Sequence, residues 1–267
     1  MIDSARTRPD MLTTMTITIA RISRYPVKGL SAQELDAVEL SPGEGLPEDR
    51  RFALAHGASA FDPAAPAWQP KSNFLVLAKN ERLAVLDTEY DPATSTLTVR
   101  RNGRQIARGT LTTPTGRLVI EQFFEAYMGE EAFGRVRVVE APGHMFSDAR
   151  DKYVSLINAA TVKDMERVAK APLDPRRFRG NLLLEGMAPW AEHELLGRTL
   201  TIGGARLQVE RRIPRCTATN VNLETGERDM NLPLALQRGY GHIDCGIYAR
   251  VVDGGRIAIG DTVEALP

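Results

Sequence analysis

The segment Arg211–Asn222, RRIPRCTATNVN, sets Cys216 directly after Arg215, with Arg211 and Arg212 close by and Thr217 and Thr219 following. Neighbouring guanidinium groups favour the thiolate, the form of cysteine that attacks electrophiles or ligates metals. A lone cysteine on a strand also serves as a small buried hydrophobe, so the segment alone leaves both uses open. Cys245, in HIDCG, has no adjacent Lys or Arg and reads as structural. Lys28, in YPVKG, follows the bend set by Pro26 at the end of a predicted strand, where an ammonium meets a phosphate or other anion as a point charge. The runs DRRF at 49–52 and RRFRGN at 176–181 put guanidinium groups at two strand entrances. Arg and Asn both carry hydrogen-bond geometry suited to a planar heterocycle or a phosphate. Each cluster taken singly also reads as solvated surface. Four such sites in one neutral chain point together to convergence on a single anionic ligand.

The chemistry is bounded by what the chain lacks. Its 267 residues carry 34 Lys+Arg and 34 Asp+Glu, so no basic excess draws it to nucleic acid. With 43% hydrophobic residues it can fill a core, which excludes a disordered chain. Two cysteines make neither a disulfide framework nor a four-cysteine metal site. His56, His144, His193 and His242 stand far apart, with no HExxH spacing. There is no P-loop and no GxSxG, and Gly43-Glu44-Gly45 and Gly203-Gly204 read as turns. No apolar run reaches the length of a membrane helix, and the first residues lack the pattern of a secretory signal. Residues 1–15 are expected to be a poorly ordered leader. The expected compartment is the cytoplasm, with no membrane partner and both thiols reduced.

The elements that must position these residues are mostly strands. Alternation predicts them at Thr16–Arg24, Ala37–Leu40, Phe52–Ala55, Phe74–Leu77, Arg82–Asp87, Thr96–Arg100, Gln105–Thr110 and Val136–Val139 in the first half. Asn102-Gly103 suits a type I′ hairpin. In the second half strands are predicted at Tyr153–Asn158, Asn181–Leu184, Thr199–Ile202, Leu207–Val209, Tyr248–Val252 and Arg256–Ile259. Gly203-Gly204 and Asp253–Arg256 read as hairpin-like turns between them. Helical spacing is found at Leu118–Tyr127, at Ala160–Lys170 with Asn158 or Thr161 as cap, and at Leu232–Gln237. A boundary is expected between 115 and 145, around Pro142-Gly143. The fold class is β-rich α+β, built from barrels rather than from βαβ units.

These motifs resemble a known family. Arg215-Cys216 with Thr219, then Gly246-Ile247-Tyr248 and Gly255–Asp261 (GRIAIGD), resemble the signature of the MOSC domain, the C-terminal domain of molybdenum cofactor sulfurases. Tyr25–Lys28 and Asp49-Arg50 resemble the β-barrel domain that precedes it, and Arg179-x-Asn181 resembles a pair found ahead of a MOSC strand. The layout, from about residue 16 to 265, is similar to that of bacterial MOSC proteins and the mitochondrial amidoxime-reducing component. The resemblance implies an N-terminal β-barrel-like domain at 16–115 and a MOSC barrel with a few helices at 116–267. It implies the molybdenum cofactor, Mo-molybdopterin, with Cys216 as the protein thiolate on the metal. One soft protein ligand suffices when the cofactor brings two more sulfurs. By the same resemblance Lys28 and Arg50 would bind the phosphate and pterin, and Arg179 and Asn181 the pterin. Arg215 would neutralise the anionic centre, and Thr219 would sit near the open position of the metal.

Three positions depart from the pattern: Gly29 stands where relatives have Ser, Cys245 where they have an aromatic, and Asn222 where they have Asp. The implied activity is a molybdenum-dependent reductase for N-hydroxylated or other N- or S-oxygenated small molecules. Two cysteines and no flavin motif provide no internal relay, so electrons would come from a separate flavin or iron–sulfur reductase. The alternatives are a persulfide carrier or cofactor-sulfuration protein working through Cys216, and a binding module in which Cys216 is merely packed.

Overall fold

The structure is a computed structural model that describes residues 16–62, 68–140 and 143–266. The expected leader at 1–15, and Pro142 of the expected boundary, lie outside the described residues. In chain order the strands are β1 (Thr18–Arg24), β2 (Gln33–Leu35), β3 (Ala37–Leu40), β4 (Phe52–Ala55), β5 (Asp87–Asp91), β6 (Thr96–Arg101), β7 (Arg104–Thr110), β8 (Arg137–Glu140), β9 (Val154–Asn158), β10 (Leu182–Glu185), β11 (Thr199–Ile202), β12 (Ala205–Pro214), β13 (Asp244–Asp253), β14 (Gly255–Ala258) and β15 (Val263–Leu266). The α-helices are α1 (Pro114–Met128), α2 (Ala159–Ala169) and α3 (Leu232–Tyr240).

The largest sheet runs β15-β11-β12-β13-β9-β10-β1-β2. It closes on itself, because the start of β1 bonds the segment leading into β15: Val263 N donates to Ile17 O at 2.9 Å and Ile19 N to Asp261 O at 3.0 Å. The first strand of the chain therefore completes the barrel that the second half builds. Inward residues such as Ile22, Leu156, Leu184, Leu207 and Ile247 fill it, each at most 1% exposed. Closure leaves fewer open strand edges.

A second core lies under the first half. There β4 pairs with β8, β5-β6-β7 form a meander, and α1 packs beside β7. Thr113 caps α1 by accepting from Gly116 N at 3.2 Å, and Pro114 occupies its first turn. Ile120, Phe124 and Met128 then face the core at helical spacing. Asn102 and Gly103 both have positive φ, 51° and 75°, as the type I′ turn between β6 and β7 requires. In the second half Asn158 caps α2 through Ala160 N at 3.0 Å.

Four local readings are replaced in the structure, and β2 and β15 stand where no strand is predicted. Phe74–Leu77 is not a strand: after a 3-10 turn at Lys71–Asn73 it makes only an isolated bridge, and Asn80 Oδ1 takes the Val76 N–H at 3.1 Å. An Asn side chain that supplies a backbone bond replaces a ladder partner. Arg82–Asp87 is a 3-10 helix at Glu81–Val85 followed by β5, because Leu83 and Leu86 are buried together at a spacing of three. The Asp253–Arg256 turn is not a hairpin: β14 leaves the large sheet and pairs with β3. A Cβ on Gly255 would stand 2.2 Å from Gly204 O, so the crossing needs glycine. Finally β12 and β13 extend well beyond the short apolar stretches, since irregular register at Val209/Arg211 and Arg212/Pro214 breaks the alternation.

Candidate functional site

The open ends of β1, β9, β10, β12 and β13 surround a cavity of about 340 Å³ that also reaches the 71–78 segment of the first half. Lys28, Arg50, Arg179, Asn181, Arg215, Cys216 and Thr219 all line it. Four of its basic residues were anticipated by sequence, and Lys71, Arg177 and Arg211 join them, while Asp148 is the one lining carboxylate among the described residues.

Tyr25, buried and outside the lining, supports two of its arginines. Arg50 and Arg179 pack against this ring, their guanidinium carbons 4.8 and 4.2 Å from its centroid. Both arginines have left-handed backbone, φ 52° and 51°. Strained conformations of this kind in non-glycine residues persist where the surroundings enforce them, and they cluster at functional sites. Asp49, fully buried, holds the turn: its Oδ1 accepts from Tyr25 N at 2.7 Å and its Oδ2 pairs with Arg50 Nη1. Arg50 Nη2 donates to Arg179 O at 3.0 Å. Arg179 itself makes no side-chain hydrogen bond or ion pair among the described residues, and its Nη2 is buried without a partner. Burial, with Arg50 alongside, holds its guanidinium down to about 10, although Tyr25 and Asp49 oppose this.

Lys28, 6% exposed, donates to Phe146 O at 2.8 Å and to Asp148 Oδ1 at 2.6 Å. Asp148 reaches on to Lys71 at 3.3 Å. Burial would push the Asp148 carboxyl up, but the two lysines outweigh it and hold it well below the usual carboxylate range. Lys71 is also the cation beside Cys216: burial works against its charge, and Asp148 and then Cys216 more than restore it.

Of the arginines near Cys216 in sequence, Arg211 and Arg215 line the cavity with it and Arg212 does not. Arg215 donates to Phe178 O at 2.8 Å and through Nε to Cys245 O at 2.7 Å, with Nη2 on the same carbonyl, so its fork ties two loops together. Arg212 lies outside the cavity lining, on the exposed side of β12. Alternation along a strand sends adjacent side chains to opposite faces. Cys216 is half-buried at the end of β12, with its carbonyl accepting from Thr219 N at 3.1 Å and Thr219 Oγ1 at 2.9 Å. Asn181 is consumed by scaffolding: its Oδ1 accepts from Ser155 N and Oγ, and its Nδ2 donates to Ser23 O. Cys245 is fully buried, and that burial pushes its thiol up to about 12.

Sequence reasoning missed Lys71 and Asp148. Lys71 sits in QPKSN without a neighbouring basic residue, and Asp148 meets Lys28 across 120 residues of chain, so neither had a local signal. Among the described residues no three His, Cys, Asp or Glu side chains group to hold a metal ion. No helix among them is long and apolar enough to cross a membrane.

A closed barrel, a preceding barrel-like unit and a cysteine at the shared cavity agree with two family patterns. The MOSC domain matches residues 141–264, and the MOSC N-terminal beta barrel domain matches residues 16–136. The chain belongs to the MOSC family. It is 35% identical over 108 residues to a molybdenum cofactor sulfurase of Bombyx mori, a match covering 36% of this chain and 12% of that protein. Among solved structures, the YUAD protein from Bacillus subtilis is similar over 94% of this chain and 96% of that one, at 13% identity and a TM-score of 0.45. YiiM from Geobacillus stearothermophilus is similar over 43% of this chain and 54% of that one, at 23% identity and a TM-score of 0.34.

Proposed function

We propose that this MOSC protein binds the molybdenum cofactor with Cys216 as the thiolate on the metal, and that it reduces N-hydroxylated or other N- or S-oxygenated compounds. The observation that carries the reading is a half-buried thiol in the same cavity as the part-buried Arg179, whose buried Nη2 has no partner among the described residues. A buried cation without an anion is costly, so the cavity fits an anionic ligand that carries a soft metal. When bound, the cofactor supplies a two-electron redox centre.

The chain's own residues do the rest. Arg179, Arg50 and Lys28 hold the anionic part of the ligand, and the Tyr25 ring, outside the lining, seats both arginines. Thr219 fixes the Cys216 backbone, and Lys71 stands beside the sulfur as a cation. Asn181 and Arg215 act by positioning the strand ends rather than by contact through free donors. Removal of oxygen from an N-hydroxylated substrate takes two electrons and two protons and releases water. The electrons come from a separate flavin or iron–sulfur reductase, because the two cysteines of this chain form no relay.

A persulfide on Cys216, used for sulfur transfer or cofactor sulfuration, is the second reading. It is favoured by the same thiol beside Lys71 and by the name of the silkworm relative. Both readings are tested by molybdenum, pterin and cyanolysable-sulfur analysis of protein made in a cofactor-competent host. The expected result is molybdenum and pterin in the wild type, molybdenum lost in Cys216→Ser with the fold intact, and molybdenum retained in Cys245→Ser. Full molybdenum and full reductase activity in Cys216→Ser overturn the ligand assignment. A metal-free wild type with cyanolysable sulfur on Cys216 replaces the reductase with the carrier.

A further inference from the structure

Pairing within the cavity leaves two guanidinium groups uncommitted among the described residues. Lys28 and Lys71 share Asp148, Arg50 pairs with Asp49, and Arg177 makes a two-pronged pair with Asp229 at 2.8 and 2.6 Å. Arg215 is engaged by carbonyls. Arg179 is one of the two that remain, and the proposed cofactor site uses it. The other is Arg211.

Arg211 is exposed on β12 and has no hydrogen bond or ion pair from its side chain among the described residues. It is nevertheless held in place. Tyr153 and Tyr248, both lining the cavity, stack with centroids 5.2 Å apart and planes at 22°. The Arg211 guanidinium carbon lies 5.2 Å from one ring centroid and 5.4 Å from the other. The preceding acidic residue, Glu210, does not neutralise it, because Glu210 is engaged by Arg250 at 2.5 Å and by the Tyr153 hydroxyl at 2.6 Å. A guanidinium packed on aromatic rings keeps its hydrogen-bonding edge free and loses little further freedom when it meets a carboxylate.

Arg211 and Arg179 also serve different places. Arg211 lies on β12 and Arg179 in the turn before β10, and the sheet order β12-β13-β9-β10 sets two strands between β12 and β10. An anion held by Arg179 therefore leaves Arg211 available on the exposed part of β12, in the same lining as Cys216.

We propose that Arg211, seated on the Tyr153–Tyr248 stack, is a specificity-determining residue that selects substrates bearing a carboxylate, planar aromatic carboxylates above all. The guanidinium fork takes the carboxylate, and the tyrosine faces take the ring beside it. The inference rests on the reading of this cavity as a reductase site, and it names the substrate class.

The test is direct binding of benzoate and of its neutral isostere benzamide to the full chain purified from a cofactor-competent host, followed calorimetrically, with molybdenum measured in the same preparations. Wild type is expected to prefer benzoate by about tenfold, the size of one charge-assisted pair in a part-exposed site. Arg211→Met should erase that preference with molybdenum content unchanged. Arg211→Lys should restore part of it, since it keeps the charge and loses the fork. Circular dichroism establishes that each variant is folded. Equal binding of the two probes by wild type, no benzoate binding at all, or a preference that survives Arg211→Met overturns the proposal. A fall in molybdenum in Arg211→Met overturns it as well, by moving Arg211 into the cofactor-holding set. A wild type that lacks molybdenum defeats the reductase reading, while the benzoate comparison still decides the role of Arg211.

Discussion

Arg179 shows how a site is written in a single side chain. Its left-handed backbone, its ring contact with Tyr25 and its unpartnered Nη2 all work against stability in the absence of an anion, apart from the cation–π contact. Arg179→Met should therefore raise the stability of the ligand-free chain by about 1 kcal/mol, because it removes a part-buried charge with no anion among the described residues. It should also remove most of the stabilisation that inorganic phosphate or pyrophosphate gives the wild type, since a ligand stabilises only the state it binds. Thermal unfolding with and without the anion reads both effects. A variant that loses several kcal/mol, or that phosphate still stabilises fully, would show Arg179 to be structural. Cys216 and Cys245 make the opposite point: both are thiols near Arg215, yet one is half-buried at the cavity and the other is fully enclosed.

At the scale of elements, the YPVKG turn delivers Lys28 to the cavity by packing closely against the 75–76 segment. Gly29 has φ 85°, and a Cβ there would stand 2.7 Å from Leu75 O. Gly29→Ser should cost about 2 kcal/mol through left-handed strain, with the backbone contact adding to it. Urea denaturation measures the loss, and an unchanged midpoint with an unchanged slope would show that the turn rearranges freely. Much of the element list was legible beforehand. Thr113 and Asn158 cap their helices, and Asn102-Gly103 turns its hairpin, because each acts on residues within a few positions. The 74–87 stretch was misread because its apolar residues serve two cores from turns, and an Asn80 side chain replaces a ladder partner.

For the whole molecule the expectation is a pH dependence in two acid windows. Burial, with Arg212 and His242 adding to it, holds the His193 imidazole down to about 4, and its Nε2 has no partner among the described residues. Unfolded, the same group titrates near 6.5. The unfolded chain therefore binds a proton that the folded chain refuses. The contribution of His193 is complete above pH 6.5 and is lost as pH falls towards 4. Asp148, held low by Lys28 and Lys71 against burial, then contributes above its unfolded value near 3.8 and is lost only below it. Urea midpoints measured from pH 7 to pH 4 should fall for wild type and stay flatter for His193→Phe, which keeps the ring against Trp190 and His242. Equal slopes for the two proteins would remove His193 from the account.

What the chain determines by itself is what acts over a few residues: strand alternation, caps, turns, and the short motifs around Lys28, Arg50, Arg179 and Cys216 that place it in the MOSC family. Tertiary structure alone decides which charges meet. It brings β1 round to complete a barrel built by residues more than 130 positions away, and it sets Asp148 between Lys28 and Lys71. It also ties Arg215 to backbone carbonyls and leaves Arg179 and Arg211 without anions among the described residues. The physical reason is range. Backbone preferences are set by neighbours in the chain, whereas desolvation and ion pairing depend on what closure of the barrel brings within a few ångströms, and no local pattern encodes that.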